Sequence, residues 1–260
     1  MGFFSKLFEK KECAICGGEI GLLGNRKLED GNCCKNCAGK LSVWFDDRRN
    51  STVEQIKEQL AYREENKERV AAFNTTRTYG ESYKLHLDED KQQLMIVRGG
   101  RPQDENPDVI DFSQVTGCDY DVTDYRDEEK RKDKEGNMVS YDPPRYTYHY
   151  DFHIIIQVNH PWFDDMKFKL NRNSVEIANV TSRNAFTGIS NPAMRSYEYK
   201  QYEQQCKEII SAIMDARQSA RDDIAAAAAP KAAVTCPWCG ATTTPDVNGC
   251  CEYCGGSING

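Results

Sequence analysis

Two periodicities alternate along the chain. Residues 51–75 open on Ser51-x-x-Glu54, a capping box, and place Val53, Ile56 and Leu60 three to four positions apart. That spacing predicts a highly charged helix with a narrow apolar stripe. Just ahead of it, "LSVWF" (41–45) is expected to pack the helix against the preceding segment through Trp44 and Phe45. From residue 82 the period falls to two. The runs "SYKLHLDED", "KQQLMIVRGG" and "DVIDFSQVTGCDYDVTDY" alternate apolar with polar positions and are punctuated by turn residues, the signature of half-buried strands. The longest, "RYTYHYDFHIIIQVN", aligns Tyr146, Tyr148, Tyr150, Phe152, Ile154 and Ile156 on one side, and "PWFDDMKFKLN" and "NSVEIANV" add two further strands. Between these runs, "DYRDEEKRKDKEGN" carries charges of both signs that nearly cancel and reads as a solvated, mobile hairpin loop.

Helical spacing returns after the strands, with Tyr199, Tyr202, Cys206, Ile209, Ile213 and Ala216 forming a core face that covers one end of the sheet. About six or seven antiparallel strands followed by one helix indicate an α+β domain over residues 76–224. The run "AAAAAPKAAV" (225–234) then predicts a small-residue linker.

The cysteines change the picture at both ends. Of twelve, all but Cys118 and Cys206 lie in two terminal clusters. In the first, Cys13-x-x-Cys16 is followed by Cys34-x-x-Cys37; in the second, Cys236-x-x-Cys239 is followed by Cys251-x-x-Cys254. Two residues between thiolates let a tight turn aim both sulfurs at one ion, and two such turns complete a tetrahedron around Zn2+. The expectation is two structural zinc ions held by these eight cysteines, in small modules at 12–50 and 235–260. With four thiolates filling each tetrahedron, no position is left for substrate. Glycine follows the second cysteine of three pairs, at Gly17, Gly240 and Gly255, where a left-handed residue lets the chain curl past the metal. In the fourth pair Gly39 sits one place later. Cys33 and Cys250 directly precede Cys34 and Cys251, so either could replace its neighbour through a three-residue spacing. The rival reading of "CPWC" as a reactive dithiol lacks the strand and helix that a thioredoxin-like motif requires.

Composition sets the setting. A net charge of -7 over 260 residues disfavours a broad phosphate-binding surface. Nucleic acid is therefore not the expected partner, and the N-terminal module, with Arg26, Lys27, Lys35 and Lys40, is the better candidate for any such role. No apolar run spans a bilayer, and the N-terminus lacks the features of a secretory signal, so a cytoplasmic location is expected. The opening segment 1–11 places Phe3, Phe4, Leu7 and Phe8 on one helical side with lysines elsewhere. That pattern suits either packing onto the zinc module or a neighbouring subunit in a homo-oligomer, or peripheral contact with the inner membrane face. His86, His149, His153 and His160 have no spaced partners that would make a ligand or nucleophile set, and no phosphate loop or nucleophile elbow is present.

Residues 12–75, with the paired cysteines, the "DG" before the second pair and the "LSVWF" that follows, resemble the bacterial DUF4428 domain. That resemblance implies the ligand set Cys13, Cys16, Cys34 and Cys37 and brings no established activity. The central strands and their helix resemble a PH-like domain, and the tail resembles a zinc ribbon. The resulting expectation is an antiparallel PH-like β-barrel or sandwich capped by a C-terminal helix and flanked by two four-Cys ribbons. It would serve as a non-enzymatic adaptor for a protein partner, with nucleic-acid binding or an unrecognised enzyme site in the β domain as alternatives.

Overall fold

The computed structural model describes residues 11–181, 193, 196–228, 233–246 and 248–258. The chain divides into two compact units, Met1–Gln218 and Ser219–Gly260. In the first unit, short strands β1 (Lys11–Glu12), β2 (Glu19–Ile20), β3 (Asn25–Lys27) and β4 (Asn32–Cys34) pair as β1–β2 and β3–β4 and lead into the single-turn helix α1 (Lys35–Ala38). Helix α2 (Val53–Ala72) lies against them, its Ile56 buried in one cluster with Ile20, Leu28 and Leu41 while Val53 and Leu60 flank it. So small a module buries little surface of its own and borrows a helix face to complete its core.

The capping box of α2 forms one residue later than the sequence suggested. The Thr52 hydroxyl accepts the Gln55 N–H at 3.3 Å and the Gln55 side chain accepts the Thr52 N–H at 2.9 Å. Both registers fit the pattern, but the Ser51 hydroxyl is engaged by the Asp47 carbonyl at 2.9 Å in the preceding 3-10 turn. The second half of α2 buries polar groups. Arg63 meets Asp108 at 2.8 Å, with the two side chains 7% and 1% exposed. Asp108 also accepts the Ser42 hydroxyl at 2.7 Å, while Arg63 donates to the carbonyls of Lys40 and Asn106. One turn on, Asn66 donates to the Pro107 carbonyl at 2.7 Å and accepts the Val109 N–H at 3.0 Å. This network ties the cysteine module, α2 and the β region into one body.

The β region is two open antiparallel sheets. β5 (Arg77–Tyr79), β6 (Lys84–Asp88), β7 (Gln93–Val97) and β8 (Ile110–Asp111) pair in chain order, with helix α3 (Pro102–Glu105) between β7 and β8. In the second sheet the central strand is β10 (Met138–His160). It pairs with β9 (Val115–Lys132) along one side and with β11 (Phe163–Lys169) and β12 (Val175–Thr181) along the other. No barrel closes among the described residues. The expected core face of β10 is present: Phe152, Ile154 and Ile156 are fully buried, joined by Met166 and Phe168 from β11. Helix α4 (Tyr197–Ala228) lays Tyr199 on Tyr150 and Phe152, with ring centroids 5.2 and 4.9 Å apart, and buries Cys206, Ile209 and Ile213. It runs into the alanine run expected to be a linker, in keeping with the high helix propensity of alanine.

The segment expected to be a mobile loop is instead paired strand. β9 and β10 stay paired out to Lys132 opposite Met138, with a register shift between Ser140 and Arg145, leaving a turn at 133–137. Alternation was masked there because both faces are polar, but cross-strand pairs hold the arm. Arg126 lies 4.6 Å from the Tyr146 ring centre, Tyr125 stacks on His149 at 4.5 Å, and Thr147 donates to Glu129 at 2.9 Å.

Candidate metal centres

Three of the four Cys-x-x-Cys turns are built alike. In the first, the Cys13 N–H donates to the Gly18 carbonyl at 2.9 Å and the Gly17 N–H to the Cys13 carbonyl at 2.8 Å. The same pair of bonds recurs around Cys236 with Gly240 and Ala241, and around Cys251 with Gly255 and Gly256. Gly17, Gly240 and Gly255 sit at φ of 72°, 74° and 71°, in the left-handed region that an L side chain resists. The fourth turn uses different geometry. Cys34 is the N-cap of α1, and its sulfur accepts the Cys37 N–H at 3.4 Å. A helical turn needs no left-handed residue, and Gly39 is right-handed there, which explains its displaced position.

These turns bring Cys13, Cys16, Cys34 and Cys37 together in the first unit, and Cys236, Cys239, Cys251 and Cys254 in the second. Within each group every sulfur lies within 4.8 Å of the others. The Sγ separations are 3.9 Å for Cys16–Cys34, 3.6 Å for Cys236–Cys254 and 3.7 Å for Cys239–Cys251. A disulfide requires about 2.05 Å. A tetrahedron with arms of about 2.3 Å has edges of about 3.8 Å, so the donor set fits an ion of zinc's size and preferences.

The electrostatics of the sulfurs agree. Burial opposes the Cys13 thiolate, yet N–H groups of Cys16, Cys34 and Ile15 bring its pKa down to about 6. At Cys37, burial and then hydrogen bonds to the neighbouring sulfurs push the thiol far up. In the second group burial likewise opposes the Cys236 thiolate, but the N–H groups of Cys239 and Trp238 lower it to about 7. The Gly256 N–H favours a thiolate at Cys254, but hydrogen bonds with Cys239 and the other sulfurs raise it to about 12. A thiolate is thus favoured at Cys13 and at Cys236 and opposed at Cys37 and Cys254, and a bound dication reverses that opposition.

The structure also separates each cysteine from its neighbour. Cys33 is fully buried, packed in the apolar cluster under α2, and its thiol donates to the Cys34 carbonyl at 3.4 Å. Adjacent strand residues point to opposite faces, so Cys34 faces the sulfurs while Cys33 faces the core. Cys250 is bridged to Ser257 and lies outside the second group. Cys118 and Cys206 sit between β9 and α4, both raised to about 12 by burial first. The histidines do not converge with other donors into a metal site among the described residues. His86 meets the Thr78 hydroxyl at 3.0 Å, and His149 lies between Asp127 at 3.2 Å and Glu176 at 3.5 Å. Phe3, Phe4, Leu7 and Phe8 lie outside the described residues. Sequence reasoning missed the Arg63–Asp108 network, since nothing in a charged helix marks which arginine turns inward.

No helix among the described residues is long and apolar enough to cross a membrane. Comparison with curated proteins and with solved structures finds no match. Residues 11–59, which hold the first four-sulfur group and the start of α2, match the model of the family described as Domain of unknown function (DUF4428).

Proposed function

We propose that the chain is a non-enzymatic adaptor that presents a protein-binding β region between two structural zinc modules. The observation that carries this reading is the pair of four-sulfur groups with edges of 3.6 to 3.9 Å, each suited to one zinc ion with no position left for substrate. Zinc there supplies folding energy: each module is too small to bury enough apolar surface, so metal binding free energy becomes folding free energy. The finer reading of the β region as PH-like rests on its order, antiparallel strands and then one helix packed on the central strand. Protein recognition is the proposed use, with contact at the inner membrane face an additional role for segment 1–11.

The test uses the full-length, zinc-loaded protein. Affinity capture from its native extract should return a stoichiometric protein partner whose binding is lost when Cys16→Ser and Cys239→Ser open the two groups. Capture of nothing, together with turnover of a specific substrate by the purified protein, would overturn the adaptor reading.

A further inference from the structure

Between β2 and β3 the chain turns through Gly21, Leu22, Leu23 and Gly24. The Gly24 N–H donates to the Gly21 carbonyl at 2.9 Å, which makes the two leucines the central residues of a β-turn. Those positions favour Pro, Asp, Asn, Ser or Gly, each of which presets or hydrogen-bonds the turn, and leucine does neither. Nor do the leucines pack. They are 84% and 92% exposed, the two most exposed large apolar side chains among the described residues, and they are adjacent. A single exposed leucine is ordinary. Two at one tip, serving neither the turn nor the core, break a local rule without a gain inside the fold and point to a contact outside it.

A second observation is the charge around this tip. Arg26 Nη1 donates to the Leu23 and Asn25 carbonyls at 3.2 and 3.1 Å, which braces the turn and holds a guanidinium at its base. Lys11 stands opposite Ile20, and Lys35 follows Cys34, which stands opposite Asn25, so a lysine lies beside each leg of the turn. Among the described residues none of these three cations is paired with a carboxylate. Glu12 and Glu19 face each other one step farther from the tip. Residues 1–10, with Phe3, Phe4, Leu7 and Phe8, join the chain at Lys11, next to the first leg.

We infer that the Leu22–Leu23 tip inserts into an anionic lipid surface, with Lys11, Arg26 and Lys35 against the headgroups. A protein partner fits less well: a stable interface needs about 800 Å² on each side, far more than two leucines on a convex turn present, whereas a bilayer needs no matching pocket. One short apolar element holds a membrane only weakly, and stable attachment takes a second signal. The three cations supply one, and the aromatic segment that joins at Lys11 supplies another. The inference deepens the membrane contact in the adaptor reading and rests on that reading only for the share contributed by residues 1–10.

Full-length, zinc-loaded protein would be floated with vesicles of phosphatidylcholine alone and of phosphatidylcholine containing about one quarter phosphatidylglycerol. It should bind the anionic vesicles at least tenfold more tightly. Leu22→Ser/Leu23→Ser should weaken that binding at least tenfold with zinc content unchanged, and Lys11→Gln/Lys35→Gln should weaken it on anionic vesicles alone. Leu23→Trp should add blue-shifted emission that brominated acyl chains quench. No flotation of the unaltered protein, or equal flotation of the serine variant, would overturn the inference. Phe3→Ser/Phe4→Ser/Leu7→Ser/Phe8→Ser separates the two elements: partial binding that still depends on the leucines supports the inference, whereas stronger binding would mean that residues 1–10 cover the leucines and would overturn it. A serine variant that turns a dimer into a monomer in sedimentation would assign the leucines to a second copy and overturn it as well. Failure of the adaptor reading would appear separately, as turnover or as capture that yields no partner.

Discussion

Replacing Arg63 by methionine tests how the cysteine module is joined to the β region. The substitution keeps most of the side-chain volume and removes the charge. Asp108, 1% exposed on its side chain, would lose its counter-charge and keep the Ser42 hydroxyl at 2.7 Å, and the Lys40 and Asn106 carbonyls would lose their shared donor. Removing one partner of a buried ion pair costs about 3 to 5 kcal/mol, chiefly because the remaining charge stays desolvated. Neutralising that charge with Asp108→Asn while keeping the Ser42 contact should recover about 2 kcal/mol, so the double-mutant cycle should show a coupling larger than that by the cost of the single Asp108→Asn variant. Urea unfolding of zinc-saturated protein, followed by tryptophan fluorescence, reads both values. With a slope of about 3 kcal/mol/M, Arg63→Met should lower the midpoint by roughly 1 to 1.7 M. A loss below about 1 kcal/mol, or a double variant as unstable as the sum of the singles, would refute the reasoning.

Three further outcomes are expected. Gly17→Ala, Gly240→Ala and Gly255→Ala each force a side chain into the left-handed region, at about 1 to 2 kcal/mol, and should weaken metal retention roughly tenfold in chelator competition. Cys34→Ser should halve the bound metal, whereas Cys33→Ser should keep full stoichiometry and lower only thermal stability, as metal analysis and melting of both variants would show. Burial lowers the pKa of His86, His153 and His160, so the unfolded chain binds protons first as pH falls and stability is lost below about 6.5. His160→Phe should reduce that slope by up to about 1.4 kcal/mol per pH unit, measured as unfolding free energy from pH 7.5 to 5.

The sulfur groups were legible in the sequence because two-residue spacing is a local property: the turn that joins a pair also aims it. The core face of β10 was legible for the same reason, as alternation from Tyr146 to Ile156 needs no knowledge of what packs on it. Spacing already favoured Cys34 over Cys33, and the strand's pleat supplies the physical reason, turning Cys33 into the core. The β9–β10 arm was misread as loop because its ladder is held by polar and cation–π pairs, which leave no apolar alternation. The Arg63–Asp108 pair joins residues more than forty positions apart, a juxtaposition fixed only by the fold.

Metal content of reduced, tag-free protein, combined with X-ray absorption at the zinc edge, bears most directly on the two centres. The account predicts about two equivalents of zinc per chain, each with four sulfur neighbours at about 2.3 Å. Far fewer than two equivalents, or a shell containing nitrogen or oxygen, would contradict it.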